Sequence, residues 1–328
     1  MRTQLWYQKI ALYARGIIRA IFIYSLPAAS VILKYRSISK SGLIYGISVR
    51  RKANFIDFAS SEKVVRLNEK HAVYSLDIIK GFDYYFESVE PTRNRHLEIV
   101  DFSQPRFHQV KGFDLIPVHF PSLAEPLSTT TQYTEFAQLS QGGCVLDLGA
   151  YSGLTSIIFK EVVGRAGRVI AVEADPENLQ SMNLNFDLYR KVSGLSIESI
   201  EKAIWNHSEG VRFSAEGNMG SSASSILGEG RGASRFVDSI TLNGVVDKLA
   251  LTQVDFIKCD IEGAESVIFE DNVFFSQFKP RIIVESHHVS GQLTTDKVMS
   301  DLSRHGYSFN LVSQPGVAYP LLECVPTQ

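Results

Sequence analysis

Apolar and polar positions along this chain change period several times, and each change predicts an element. Cys144–Leu148 reads Cys-Val-Leu-Asp-Leu, an apolar run as long as one strand buried on both faces of a parallel sheet. Gly149 and Gly153 bracket a turn, and Leu154–Val163 places Ile157, Ile158 and Val162 at helical spacing. Further strands are expected at 168–174, 197–205 and 236–242, from 254 into the charged residues that run to 265, and within 280–288. Helices are expected at 129–139, 176–189, 243–249 and 294–305, with a closing antiparallel pair at 307–313 and 318–325. Strands alternating with helices predict an α/β domain over 128–328. Ahead of it, residues 53–58, 72–76, 96–102 and 113–119 alternate in strand fashion, which predicts a small β-rich subdomain over 47–127. Residues 1–46 form an apolar, basic segment expected to be helical. Tyr84, Tyr85, Phe86, Phe102 and Phe107 crowd the middle segment, where such rings either fill the core or stack on sugars.

The turn after the first strand of the α/β domain selects its ligand. A strand, a glycine turn and a helix point backbone N–H groups at a ligand at the helix N-terminus. A dinucleotide needs a glycine in mid-turn so that pyrophosphate can touch the backbone. Here Tyr151 and Ser152 fill the turn, and Asp147 brings a carboxylate expected at its mouth. That carboxylate repels phosphate and suits an ammonium or sulfonium, which points to S-adenosyl-L-methionine. Glu173 ends the next strand and is placed to accept both ribose hydroxyls, with Ala174 beside it. Ala203, at the exit of the third strand, lies where adenine would sit. Asp147, Gly149, Tyr151, Ser152, Gly153, Glu173, Ala174 and Ala203 are therefore the expected donor contacts. A tight turn in an ordinary β-α-β unit is the purely structural alternative.

Two later strands run into charge. Lys258, Asp260 and Glu262 alternate, and within 280–288 an apolar strand ends in Glu285, His287 and His288. Charge on a buried strand is costly unless paired or used, and open α/β sheets keep their sites at the carboxyl ends of parallel strands. Asp260 is the first candidate to orient an acceptor or take its proton, with His287 or His288 as the alternative base. Lys258 neutralising Asp260 is the structural alternative. Hard oxygen ligands at Asp260, Glu262 and Glu285 would suit magnesium, yet nothing in the spacing requires a metal, and metal-free catalysis is expected.

Charge adds an asymmetry that the net −2 of the 328 residues hides. Residues 1–56 hold ten Lys/Arg and no acid, so the remainder has 23 basic and 35 acidic residues, a net −12. The acidic body excludes general nucleic-acid binding. Ala20 to Leu33 is 14 residues without charge, about 21 Å as a helix against a hydrocarbon core of about 30 Å, too short to span. Arg2, Lys9, Arg15 and Arg19 share one helical arc and Trp6, Ile10, Ile17 and Ile21 the opposite one. Such a helix suits an anionic membrane surface. Packing on the protein's own core, an uncleaved signal-like sequence and a transit peptide remain the other readings. Cys144, Cys259 and Cys324 lie far apart in apolar runs, which predicts buried thiols in a reducing, cytoplasmic compartment. The Gly/Ser-rich stretch 217–232 is either a surface loop or a lid.

Residues 145–153 (Val-Leu-Asp-Leu-Gly-Ala-Tyr-Ser-Gly), 172–176 (Val-Glu-Ala-Asp-Pro), 257–265 (Ile-Lys-Cys-Asp-Ile-Glu-Gly-Ala-Glu) and 280–285 (Pro-Arg-Ile-Ile-Val-Glu) carry a resemblance. In order and spacing they resemble the motif series of the FkbM family of S-adenosylmethionine-dependent methyltransferases, over roughly 128–328. The resemblance implies the class I, Rossmann-like fold: a seven-stranded mixed sheet with helices on both faces and the donor over its first two strands. It also implies O-methylation of a hydroxyl on a glycan, glycolipid or other small metabolite. Tyr151 stands where many members carry Asn, which leaves backbone contacts to the donor at that position. Two other functions stay open: a dinucleotide-dependent oxidoreductase, against which Tyr151 argues, and a non-catalytic, membrane-tethered scaffold.

Overall fold

The computed structural model describes residues 27–125, 127–215, 217, 218, 222, 223, 233–289, 292–314 and 320–327. The expected amphipathic stretch up to residue 26 and most of the Gly/Ser-rich stretch, 219–221 and 224–232, lie outside the described residues. The chain divides into two compact units: residues up to Phe82 with Thr92–Asp101, and Asp83–Pro91 with Phe102–Gln328.

In the first unit helix α1 is described over Pro27–Ile44. Strands β1 (Ser48–Arg51), β2 (Phe55–Ser60), β3 (Lys63–Asn68), β4 (Thr92–Asn94) and β5 (Leu97–Phe102) form one sheet in the order β1-β2-β3-β5-β4. Ile56 and Phe58 of β2 and Val65 and Leu67 of β3 are fully buried. Across the same pair Arg66 grips Asp57 through Nε and Nη2 at 2.7 and 3.2 Å. Residues 72–76, expected as a strand, are helical instead. Asn68 caps a 3₁₀ turn by accepting from Lys70 N–H, and a helix follows over Ser75–Lys80. Ala72, Ser75, Ile78 and Ile79 are the buried positions, and their spacing of three to four is helical.

In the second unit β6 (Arg106–His108) and β7 (Val118–Phe120) make a hairpin, so only the end of the expected strand at 113–119 is extended. Tyr84, Tyr85 and Phe86 lie on a short helix, Phe82–Ser88, with Tyr85 edge-on to Phe102. Helix α2 (Leu127–Ala137) then leads into β8 (Cys144–Leu148), α3 (Leu154–Val163), β9 (Arg168–Glu173), α4 (Pro176–Ser193) and β10 (Glu198–Glu201). The expected strand at 197–205 breaks at Lys202. Beyond it β11 (Ala203–Ile204) leaves β9 to pair with β15 (Ser239–Ile240), and β12 (Val211–Ala215) pairs with β13 (Ser222–Ala223) and β14 (Ala233–Val237). Helix α5 (Leu242–Leu249), capped by Thr241, precedes β16 (Phe256–Cys259) and β17 (Arg281–Glu285). The short pair β18 (His288–Val289) and β19 (Gln292–Leu293), helix α6 (Thr295–Ser303), β20 (Tyr307–Val312) and β21 (Leu321–Pro326) complete it.

The main sheet has seven strands in the order β10-β9-β8-β16-β17-β21-β20. The five strands from β10 to β17 run parallel, and β21 and β20 pair antiparallel. Leu146, Ile170, Ile257 and Ile282 face a core shared with α5 and α6. Val145, Val169, Phe256 and Ile283 face the opposite core with Tyr133 and Phe136 of α2 and Phe159 of α3. Both faces are covered, as a mostly parallel sheet requires. The chain leaves β8 toward β9 on one side and later returns as β16 on the other. That reversal opens a crevice at the carboxyl ends of β8 and β16. Cys144, Cys259 and Cys324 are buried free thiols. Among the described residues, no helix is long and apolar enough to cross a membrane.

Candidate functional site

The parity of the parallel strands sets which charges meet. Register pairs Lys258 with Asp147, and both side chains point to the α2/α3 face. Asp147, expected at the mouth of the turn, is instead fully buried beneath it. Its Oδ2 accepts from Ser156 Oγ of α3 at 2.5 Å, and Lys258 Nζ stands 3.3 Å from Oδ1. Burial raises the Asp147 carboxyl, opposed by the Lys258 ammonium. Lys258 donates to the Gly149 carbonyl at 2.7 Å and lies 3.8 Å from Asp260. Burial alone would lower its pKa, but Asp147, Asp260 and Glu125 outweigh that and hold the ammonium above its usual value. The ion pair thus ties β8, β16 and the glycine turn together.

The turn itself is tight. Gly149 has φ +78°, and a Cβ there would fall 1.8 Å from the Asp260 carbonyl oxygen. Tyr151, at φ +49°, turns its ring back into the protein. Its hydroxyl lies 2.9 Å from Ser122 Oγ and donates to the Leu123 carbonyl at 2.8 Å. That contact fastens the segment carrying Glu125, whose carboxylate accepts from Ser152 Oγ. Burial lifts the Glu125 carboxyl to about 8. Sequence reasoning missed Glu125, which no periodicity marks. Buried Asn185 of α4 braces the same turn, donating to the Ser152 and His119 carbonyls at 2.9 Å each.

Glu173 ends β9 beside the turn. Its carboxylate accepts N–H bonds from Tyr151 at 2.9 Å and from Ala174 and Asp175 at 2.7 Å each. Burial pushes it up to about 7, against the pull of those donors. Ala203 lies at the start of β11 and packs with Ala174 and Trp205.

Beyond β16 and β17 lies the second half of the site. His287 is buried and its Nδ1 is 2.9 Å from Glu265 Oε1. Its Nε2 is 3.7 Å from Asp260 Oδ1 and 3.6 Å from Glu262 Oε1. Burial alone would lower the imidazole, but Glu262 and Glu265 lead the carboxylates that hold it well above its usual value. Burial lifts Glu262 to about 8 and Glu285 to about 7, with His287 opposing both shifts. Glu285 accepts from Tyr133 Oη of α2 at 3.2 Å. His288 is exposed on β18, so of the two candidate histidines it is His287 that joins the cluster. Among the described residues, the three groups whose ligand atoms converge are Asp260, Glu262 and His287, with the imidazole in the place expected for Glu285. Glu265, also missed, sits behind it. A histidine at the end of an apolar strand, with Glu two and five residues after an Asp, was the available signal.

Comparison with known proteins bears on the same stretch. The methyltransferase FkbM domain model matches residues 147–309. Three solved structures give weaker overlaps. A methyltransferase FkbM from Methylobacillus flagellatus is 17% identical, with TM-score 0.44, covering 78% of this chain and 55% of that one. A precorrin-6y C5,15-methyltransferase from Geobacter metallireducens is 13% identical, with TM-score 0.40, covering 62% and 90%. An RNA methyltransferase from Salinibacter ruber, in complex with S-adenosyl-L-homocysteine, is 11% identical, with TM-score 0.36, covering 63% and 95%. No curated protein sequence matches the chain.

Proposed function

Residues 147–309 belong to the methyltransferase FkbM family, and from that premise we propose that the protein is an S-adenosylmethionine-dependent O-methyltransferase acting on a hydroxyl of a glycan, glycolipid or other small metabolite. The observation that carries this reading is the crevice between the Gly149–Gly153 turn and the Asp260/His287 cluster, at the carboxyl ends of β8 and β16. The turn's backbone and Glu125 face the methionine end of the donor. Glu173 has three of its roughly four acceptor sites filled by backbone N–H groups, which leaves one for a ribose hydroxyl. Asp147 acts from below, through Lys258 and the turn. Ala174 and Ala203 line the adenine side.

Methyl transfer is an in-line displacement. The acceptor oxygen bonds to the methyl carbon, the carbon–sulfur bond breaks with its electrons going to sulfur, and the hydroxyl proton must leave. Asp260, the more exposed of the pair Asp260 and His287, is the first candidate to take that proton, with His287 the alternative. The experiment is calorimetry with S-adenosylhomocysteine and NAD, followed by mass spectrometry of extracts incubated with isotope-labelled donor. The homocysteine compound should bind and NAD should not. Glu173→Ala should weaken binding by about 1–3 kcal/mol. Extracts should show one labelled methyl gained on a hydroxyl compound. Binding of NAD alone, or of neither ligand, overturns the reading.

Two finer expectations complete it. The three buried thiols support a reducing, cytoplasmic location. The basic N-terminal stretch is proposed to lie on an anionic membrane. Support comes from the end of α1, where Leu43, Ile44 and Tyr45 are 75%, 81% and 53% exposed. Sedimentation with phosphatidylserine vesicles should carry the full chain down and leave a Leu43→Asp, Ile44→Asp variant in the supernatant. Equal recovery of both in the supernatant would rule the membrane out.

A further inference from the structure

We propose that Asp260, Glu262 and His287 form a divalent-cation site, with Glu265 positioning the imidazole from behind. One oxygen from each acid and one ring nitrogen lie within 4.8 Å of one another. The separations of 3.6 and 3.7 Å from Nε2 to the two oxygens are too long for hydrogen bonds. They suit ligands of a common centre: a cation about 2.2 Å from Nε2 and from one of the oxygens would subtend about 110° between that pair.

A second, independent feature lies behind the ring. Glu265 is fully buried, and its Oε1 takes both His287 Nδ1 at 2.9 Å and the Ile261 N–H at 3.1 Å. Engaging Nδ1 turns Nε2 toward Asp260 and Glu262. A carboxylate behind a ligating histidine is the usual means of fixing its tautomer and raising its basicity. The make-up of the cluster points the same way: four acids, Asp260, Glu262, Glu265 and Glu285, gather around one imidazole, with the Lys258 ammonium 3.8 Å from Asp260 on the far side. Access is present, because the Asp260 and Glu262 side chains are 30% and 25% exposed while His287 is 8% exposed.

Two hard oxygens and one imidazole suit Mn²⁺, Mg²⁺ or Zn²⁺, and three protein ligands leave coordination positions open. On the methyl-transfer reading above, on which this step rests, the acceptor hydroxyl fills one of them. The cation aims its oxygen and makes its proton easier to lose to a carboxylate of the cluster. The bonds made and broken at carbon and sulfur are unchanged.

The test uses the full chain freed of metal by chelator, titrated with Mn²⁺ and followed by loss of the free-ion paramagnetic resonance signal. One ion per chain should bind. Glu262→Gln and His287→Gln should each weaken binding at least tenfold. Glu265→Gln, which does not touch the ion, should weaken it tenfold to a hundredfold, with Glu265→Asp recovering part. S-adenosylhomocysteine calorimetry on the same samples reports whether each variant is folded. Absence of Mn²⁺ uptake by the unmodified chain overturns the site, as does undiminished uptake in both Glu262→Gln and His287→Gln. Donor binding without Mn²⁺ removes the cation and keeps the methyltransferase reading, whereas Mn²⁺ binding without donor does the reverse.

Discussion

Lys258→Met should destabilise the second unit by about 3–5 kcal/mol, the range for removing one partner of a buried ion pair. Methionine keeps most of the volume of the lysine stem, so the loss is electrostatic. Asp147 would keep only Ser156 as a partner while remaining inaccessible to water. The Gly149 and Leu148 carbonyls would lose their ammonium donor, and the turn that faces the donor would loosen with them. Urea unfolding measures the first effect and homocysteine-compound calorimetry the second. The double variant Asp147→Leu, Lys258→Met tests the cause. Replacing both charges by apolar groups should recover most of the stability, because the uncompensated carboxylate is gone, but it should not recover donor binding. A loss below about 1 kcal/mol in the single variant would mean that water reaches Asp147.

Thermal stability of the ligand-free, metal-free protein should fall as pH rises from about 5 to about 8. Four carboxyls have folded pKa values raised above their ordinary 4.5: Glu173 and Glu285 to about 7, Glu125 and Glu262 to about 8. Across this window the folded chain keeps protons that the unfolded chain has released, so the stability slope with pH is negative. Their stabilisation is complete below about 4.5 and is lost as pH passes 7 to 8. His287, raised above 6.5, acts in the same direction. Glu173 alone, buried and lifted to about 7, corresponds to about 3 kcal/mol. At roughly 2–4 °C per kcal/mol, that is a fall of roughly 6–12 °C in melting temperature. Calorimetry across the window reads it, and Glu173→Gln should flatten the curve. A melting temperature that climbs or stays level between pH 5 and 8 would show that these carboxyls are ionised in the folded chain.

Local pattern was enough for the strand–turn–helix around Gly149, for the strand ending in Glu173 and for the apolar strands at 256–259 and 281–285. Each is a short run whose period or length leaves one regular structure able to bury it. The same local reasoning erred at 72–76, where Asn68 caps a helical turn and overrides an apparent alternation. Composition likewise sufficed for three buried thiols. Which charges face one another was decided elsewhere. Pairing of β8 with β16 puts Lys258 against Asp147, 111 positions away along the chain, and so sinks beneath the turn a carboxylate that strand order alone had set at its mouth. Glu125 reaches Ser152 only because the Tyr151 ring pins its segment, and Glu265 reaches His287 only because β16 and β17 are neighbours. A side chain's burial and its opposite number depend on contacts between distant segments, and these come into being only when the sheet assembles. The chain's own periodicity therefore names its strands and their acids, and the packed sheet chooses among those acids which serve a ligand and which hold the frame.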